Sequence, residues 1–111
     1  MNLTQLSPQL WVRPQLLPHE VAVVAAAGFK GIINNRPNGE APDQPRSEEL
    51  EAEAKRKGLA YWHIPVVPGQ ATEKDARAFA AALDAAGGRV VAFCRTGNRS
   101  ADLWKMTQQA F

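Results

Sequence analysis

Residues 90–101 read VVAFCRTGNRSA. The four apolar residues that open this stretch predict a buried strand, and the residues that close it predict the start of a helix. Cys94 stands where the strand ends, and Gly97 permits a tight turn in which backbone N–H groups face inward. Such N–H groups bind anions, and the N-terminus of the following helix favours negative charge. The stretch therefore predicts a strand, an anion-binding loop and a helix.

Predicted strands and helices alternate through the rest of the chain. Helices between successive strands imply parallel pairing. We therefore expect an α/β fold, with a mostly parallel sheet of four to five strands flanked by helices and the first strand at an edge. Ser47 and Thr72 are predicted to cap the helices that they open. The predicted strands are 10–12, 30–34, 60–64 and 89–93, and the predicted helices are 18–28, 47–57, 72–86 and 100–109.

Length and composition exclude several classes of protein. The 111 residues suit one domain over positions 1–111, and 45% hydrophobic with 22% charged residues is typical of a folded chain. A net charge of +2, without a basic stripe among aromatic residues, argues against nucleic-acid binding. No apolar run approaches the roughly 18–20 residues that span a bilayer. The N-terminus has neither a basic flank nor an apolar run, so no signal peptide is expected.

The chain has a single cysteine and two histidines. A disulfide within the chain and a cysteine-rich zinc site are therefore impossible, and histidines far apart in sequence make another metal site unexpected. We expect no metal and no cofactor. A lone cysteine fits a reducing compartment, which predicts the cytoplasm. It is either a small buried apolar residue or a nucleophile, and its loop favours the nucleophile.

The predicted catalytic residues are Cys94, Arg99 and Ser100. Cys94 would be the thiolate nucleophile, Arg99 would hold an oxyanion by a bidentate pair, and the Ser100 hydroxyl would donate to the sulfur. Arg36 ends a predicted strand at the same edge, where it would either contact the anion or brace its own loop. The predicted anion-binding residues are Arg95, Thr96, Gly97, Asn98 and Arg36.

The segment Cys94 to Ser100 resembles the active loop of rhodanese-type sulfurtransferases, which follow Cys-x-x-Gly-x-Arg. It also resembles the phosphate loop of tyrosine and dual-specificity phosphatases, which keep five residues between Cys and Arg where this chain has four. Together with residues 11–12, 28–30, 32–37 and 64–66, the loop resembles the family called domain of unknown function 442. This is the phosphatase-like amino-terminal domain of beta-lactamase-hydrolase-like proteins.

That resemblance implies a dual-specificity-phosphatase-like fold with a Cys loop of rhodanese length. Some family members are fused to a metallo-β-lactamase-fold persulfide dioxygenase, so such a protein is an expected partner. A small anionic sulfur or phosphate compound is the expected substrate. Small domains with exposed strand edges often pair, so a homo-oligomer is one possible state. No membrane or nucleic-acid partner is expected.

Two chemistries compete for this loop. Phosphoester hydrolysis needs an acid for the leaving oxygen, and residues 64–70, where the resemblance to phosphatases places that acid, contain no carboxylate. Sulfur transfer needs no placed acid. We therefore expect a sulfurtransferase that carries sulfane sulfur as a Cys94 persulfide, with a phosphomonoester hydrolase as the alternative and a non-catalytic binding module third. A carboxylate from another loop within reach of the anion cradle would favour the phosphatase.

Overall fold

The computed structural model describes residues 1–110. A single 3-10 turn at residues 18–20 leads into the first helix. In chain order, the elements are β1 (Thr4–Gln5), β2 (Leu10–Arg13), α1 (Val21–Ala26), β3 (Gly31–Asn34), α2 (Ser47–Arg56), β4 (Ala60–His63), α3 (Glu73–Ala86), β5 (Val90–Phe93) and α4 (Asn98–Ala110).

The strands form one sheet in the order β1-β2-β5-β3-β4. β2, β5, β3 and β4 run parallel, and β1 is antiparallel to β2, so the predicted mostly parallel α/β architecture is confirmed. The expectation that residues 10–12 form an edge strand is wrong, because Thr4 pairs with Val12 and Gln5 with Trp11. β1 has two exposed residues and no apolar alternation, so its sequence did not predict a strand.

Helices cover both faces of the sheet, which explains why its central strands are apolar throughout. All four residues of β5 are buried. Val90 and Ala92 belong to the core that contains the buried residues of α3 and α4, whereas Val91 and Phe93 belong to the core under α1 and α2. Parallel strands covered on both faces read as continuous apolar runs rather than as alternation.

Two helix starts and one helix cap differ from the prediction. The segment predicted as helix 18–28 is a 3-10 turn followed by six α-helical residues, and α4 begins at Asn98, two residues early. Ser47 is the first helical residue and not the cap, because Arg46 holds the extended cap conformation. Thr72 does cap α3: its hydroxyl accepts from the N–H of Asp75 at 3.2 Å.

The carboxyl ends of the four parallel strands meet at one edge of the sheet, and the Cys94 loop follows the central strand, β5. Backbone hydrogen bonds tie the neighbouring loops to this edge. Asn35 N–H donates to Phe93 O at 2.8 Å, Val66 N–H donates to Asn35 O at 3.0 Å, and Gln15 N–H donates to Arg95 O at 3.3 Å. The predicted position for ligand binding in such sheets is therefore built from four loops, one after each parallel strand. No helix within residues 1–110 is long and apolar enough to cross a membrane.

A buried polar chain connects α2 to the end of β3. Tyr61 Oη lies 2.7 Å from Ser47 Oγ and accepts from Asn34 Nδ2 at 3.0 Å. The side-chain oxygen of Asn34 accepts from the Arg36 N–H at 2.8 Å, which fixes the turn that leaves β3. Burial raises the pKa of Tyr61, although its hydrogen bonds with Ser47 and Asn34 partly offset that effect. Neutral Tyr61 therefore connects Ser47 to Asn34 through hydrogen bonds.

We predict that Tyr61→Phe lowers the free energy of unfolding by about 1–3 kcal/mol, because the buried Asn34 amide loses its acceptor. Urea denaturation followed by circular dichroism measures the change. Ser47→Ala is the matched control: it leaves the bond between Tyr61 and Asn34 in place, so its loss should be smaller. Equal losses in the two variants would contradict the role assigned to the Asn34 amide.

Candidate active site

The sulfur of Cys94 lies at the base of a loop that closes around it. The residue is fully buried, and the Gly97 N–H donates to Sγ at 3.0 Å. Four apolar residues of β5 precede it, so the sulfur is fixed at the end of a rigid strand rather than on a mobile segment. The loop then turns directly into α4.

The loop shifts the protonation equilibrium of this sulfur. Burial raises the pKa of the Cys94 thiol, but the backbone N–H groups of Ser100, Thr96, Arg99 and Gly97 together lower it below its ordinary value. Hydrogen bonds to the charged form of a group favour that form. The predicted thiolate-stabilising loop is therefore present, and its donors are backbone N–H groups.

Gly97 is required by the shape of the loop. Its φ of +97° lies in the left-handed region, and a Cβ at this position would lie 3.3 Å from the backbone C and O of Arg13. The loop is thus packed closely against the end of β2. A larger residue would be strained in conformation and crowded by backbone that cannot move aside.

Ser100 differs from its predicted role. Its hydroxyl donates to Asn35 Oδ1 at 2.8 Å, so it does not donate to the sulfur, and only its backbone N–H contributes to the cradle. Asn35 is fully buried and donates in turn to Ile64 O at 2.9 Å. The pair joins the start of α4 to the loops after β3 and β4. Sequence reasoning treated Asn35 mainly as a turn residue and missed this link.

Glu40 and the carbonyl oxygen of Val66 bind one edge of the Arg99 guanidinium. Nη1 donates to Glu40 Oε2 and to Val66 O, both at 2.8 Å, and Nη2 donates to Glu40 Oε1 at 2.9 Å. The hydrogen bond with Glu40 raises the pKa of Arg99, with a smaller contribution from Cys94, whereas burial lowers it. Within residues 1–110, Nε and the second N–H of Nη2 have no oxygen acceptor, so Glu40 leaves the other fork unoccupied, and the guanidinium also interacts with the Cys94 sulfur.

Glu40 is the residue that the sequence analysis missed. It lies in the polar loop after β3, and its Oε1 accepts both from Arg99 and from Arg36 Nε, at 2.9 and 3.0 Å. Chiefly through the hydrogen bond with Arg99, and despite some burial, the pKa of Glu40 is lowered. This is a carboxylate from another loop beside the cradle, the feature that we expected to favour the phosphatase.

Arg36 reaches the site through Glu40. Besides that ion pair, its Nη1 donates to Gln15 Oε1 at 2.9 Å, and its carbonyl oxygen lies 2.9 Å from His63 Nε2. The side chain is 7% exposed. The structure therefore places Arg36 as a brace of its loop, and a contact with an anion is left to the N–H groups that form none of these bonds, those of Nη2 above all.

A cavity of about 530 Å³ is lined by residues of the Cys94 loop and the start of α4. The exposed residues Arg95, Thr96 and Asn98 lie on its wall, so the predicted loop residues are brought together. Thr96 Oγ1 accepts from the Asn98 N–H at 3.3 Å, which orders the turn into α4. The other lining residues are Arg99, Glu40, Pro68, Gly69 and Asp102. Within residues 1–110, no group of three or more metal-ligating side chains is present.

A family model described as "Beta-lactamase hydrolase-like protein, phosphatase-like domain" matches residues 2–111. The chain belongs to this family. The beta-lactamase hydrolase-like protein of Xylella fastidiosa strain Temecula1 is 34% identical over 108 residues, which is 97% of this chain but 25% of that protein. This phosphatase-like domain thus spans about a quarter of the length of that relative.

Solved structures agree with the family assignment. A candidate phosphatase from Neisseria meningitidis Z2491 superposes with a TM-score of 0.86 at 30% identity, covering 94% of this chain and 74% of that one. P. aeruginosa TpbA, solved in complex with phosphotyrosine, has a TM-score of 0.67 at 18% identity, covering 99% and 65%, and shows the fold alone. The predicted phosphatase-like fold is therefore confirmed. These findings favour the phosphatase alternative over the sulfurtransferase.

The phosphatase-like domain has two carboxylates on the cavity wall, Glu40 and Asp102. Residues 64–70 contain none, as the sequence requires. Glu40 could have been suspected, because its loop follows a parallel strand at the binding edge. Asp102 lies three residues after Arg99 in α4, a spacing that places both side chains on one face of a helix.

We predict that the Cys94 thiol ionises below the ordinary value of about 8.5 for a free cysteine. Thiolate absorbance at about 240 nm, recorded across pH for the wild type minus Cys94→Ser, measures this ionisation directly and needs no reagent to reach the buried sulfur. Gly97→Ala displaces one donor, so it should move the rise in thiolate absorbance to higher pH. A step at or above the ordinary value in the wild type would show that burial outweighs the backbone donors.

Proposed function

We propose that this domain is a phosphomonoester hydrolase in which Cys94 is the nucleophile. The observation that carries the proposal is the Gly97 N–H that donates to the buried Cys94 sulfur at 3.0 Å, in a loop whose backbone N–H groups lower the pKa of that sulfur and in a phosphatase-like fold. A thiolate held among anion-binding donors can attack a phosphoryl group that the same donors bind. Backbone donors keep their positions through the reaction, so they need no rearrangement when charge develops.

The reaction proceeds in two displacements. In the first, a bond forms between Cys94 Sγ and phosphorus, the bond from phosphorus to the ester oxygen breaks, and that oxygen leaves with a proton. In the second, water attacks phosphorus and gives a proton to the carboxylate that protonated the leaving oxygen. The bond between sulfur and phosphorus breaks, and inorganic phosphate and the Cys94 thiolate are released. As written, both steps balance without a metal ion or a redox partner.

Arg99 would hold the phosphoryl oxygens through the fork that Glu40 leaves open. A guanidinium presents two bidentate edges, and Glu40 takes the edge formed by Nη1 and Nη2. The remaining edge, Nε with one N–H of Nη2, matches two oxygens of a phosphoryl group. Glu40 therefore acts as a positioning residue: it orients Arg99 and is itself kept ionised by its lowered pKa.

Asp102 is our candidate for the proton donor to the leaving oxygen. It lies on the wall of the cavity, is exposed, and within residues 1–110 forms no ion pair. Glu40 is a poor candidate, because two arginines stabilise its ionised form. A carboxyl group at the cavity wall would act on the leaving group only, and not on the attacking sulfur.

Sulfur transfer is the second candidate, and one observation favours it. Four residues separate Cys94 from Arg99, the spacing of the rhodanese-type loop that this segment resembles. In that reaction Cys94 would attack the sulfane sulfur of thiosulfate, a sulfur–sulfur bond would break, and sulfite would leave. A second nucleophile would then take the sulfur from the Cys94 persulfide.

One pair of assays decides between these two functions. We expect the wild type to release phosphate from para-nitrophenyl phosphate and Cys94→Ser to release none, while Arg99→Lys lowers kcat/KM about 100-fold, as expected when one bidentate contact is lost. In parallel, intact mass is measured after incubation with thiosulfate. A gain of one sulfur atom on the wild type alone, without phosphate release, would overturn the hydrolase and establish the sulfur carrier.

The role of Asp102 predicts a dependence on the leaving group. Asp102→Asn should lower kcat/KM for phenyl phosphate at least about tenfold but leave para-nitrophenyl phosphate nearly unchanged, because nitrophenolate leaves without protonation. Asp84→Asn, which removes an exposed carboxylate of α3, is the control. Equal losses for both substrates in Asp102→Asn would exclude Asp102 as the proton donor.

A further inference from the structure

A second cavity, of about 330 Å³, adjoins the Cys94 loop. It is separate from the cavity of about 530 Å³, but Arg95 lies on the wall of both. Its other lining residues come from the loop after β2 and the polar loop after β3: Gln15, Leu17, Arg36, Ala41, Asp43, Gln44 and Pro45. The chemistry proposed above makes no use of it.

Arg36 supplies the feature that points to a ligand. Its side chain is 93% buried, its Nε and Nη1 are bonded to Glu40 and Gln15, and within residues 1–110 its Nη2 has no acceptor. Nη2 keeps some contact with solvent, because Arg13 Nη1 is the one fully buried side-chain nitrogen or oxygen without a partner in that range. A buried guanidinium therefore presents two free N–H donors on the wall of a cavity.

Arg95 adds a second cation at the same place. It is exposed, and in the described part of the chain its guanidinium makes neither a hydrogen bond nor an ion pair. Gln15 N–H donates to its carbonyl oxygen at 3.3 Å, which fixes the Arg95 backbone beside the cavity. The one acid on the wall, Asp43, pairs with neither arginine. One arginine that is paired with Glu40 but keeps free N–H groups, Arg36, and one without a partner in the described residues, Arg95, thus line the same cavity, which suits an oxyanion.

The two cavities are adjacent through Glu40. Its Oε1 accepts both from Arg99, which faces the cradle, and from Arg36, which faces the second cavity. We propose that the second cavity is an anion subsite for a carboxylate or a second phosphate of the same substrate. This deepens the proposed function and rests on it: the preferred substrates are phosphomonoesters that carry another negative group close to the ester.

Three probes differ only in that second group: phenyl phosphate, 3-carboxyphenyl phosphate and 1,3-phenylene bisphosphate. We expect the wild type to prefer the last two. Arg95→Gln should lower the ratio of their kcat/KM to that of phenyl phosphate about tenfold, the usual effect of one charge-assisted hydrogen bond. Asp43→Asn, which removes the acid from the cavity wall, should raise the same ratio. Comparing this ratio between the wild type and each variant cancels differences in leaving-group reactivity.

Matched charge changes elsewhere control for long-range electrostatics. Arg56→Gln on α2 and Asp84→Asn on α3 alter the same charges at exposed positions outside both cavities, and should leave the ratio unchanged. A ratio that stays constant in Arg95→Gln and Asp43→Asn would overturn the subsite. If the carboxylate and the bisphosphate respond differently, the larger response identifies the group that the subsite takes.

Failure of the subsite and failure of the hydrolase can be told apart. Binding of the same three probes to Cys94→Ser by calorimetry needs no turnover. Tighter binding of the doubly anionic probes, weakened by Arg95→Gln, supports the subsite even if the wild type hydrolyses none of them. Hydrolysis of all three probes with equal affinities would instead retain the hydrolase and remove the subsite.

Discussion

The rest of the site depends on one arrangement, the convergence of backbone N–H groups on the buried sulfur of Cys94. A buried thiolate without donors would be costly, and burial alone would keep the thiol protonated. The donors can face inward because Gly97 takes a positive φ and packs against the Arg13 backbone. Asn35 then fixes the loop exit by accepting from the Ser100 hydroxyl. The chemistry is thus fixed by backbone geometry, and side chains such as Asn35 hold that geometry in place.

Glu40 is the shared counter-ion of two neighbouring arginines. Two largely buried arginines, Arg36 and Arg99, converge on the same edge of the sheet, and like charges in such surroundings need a shared counter-ion. One carboxylate bonded to both provides it. Because Glu40 uses one edge of the Arg99 guanidinium and leaves Nη2 of Arg36 free, it neutralises charge without consuming all the donors. A buried ion pair of this kind serves orientation more than stability.

The sequence predicted the scaffold well where a local pattern carried the information. Residues 90–101 predicted strand, loop and helix, and Thr72 predicted a helix cap, because each depends on neighbours in the chain. The edge position assigned to residues 10–12 was wrong because pairing with Thr4 and Gln5 is not encoded in periodicity. The Ser100 hydroxyl was assigned to the sulfur because its real acceptor lies 65 residues away in sequence. Glu40 was missed for the same reason: it lies 59 residues from Arg99.

The length of the Cys94 loop need not oppose phosphoryl binding. Four residues separate Cys94 from Arg99 where phosphatases keep five, and the Asn98 N–H donates to Thr96 Oγ1 at 3.3 Å. Gly97 N–H still donates to the sulfur at 3.0 Å, and the edge of Arg99 that Glu40 leaves presents further N–H groups. Backbone and guanidinium donors are therefore both present for the oxygens of a phosphoryl group. The short loop is therefore compatible with a phosphatase, provided that Glu40 keeps Arg99 turned toward the sulfur.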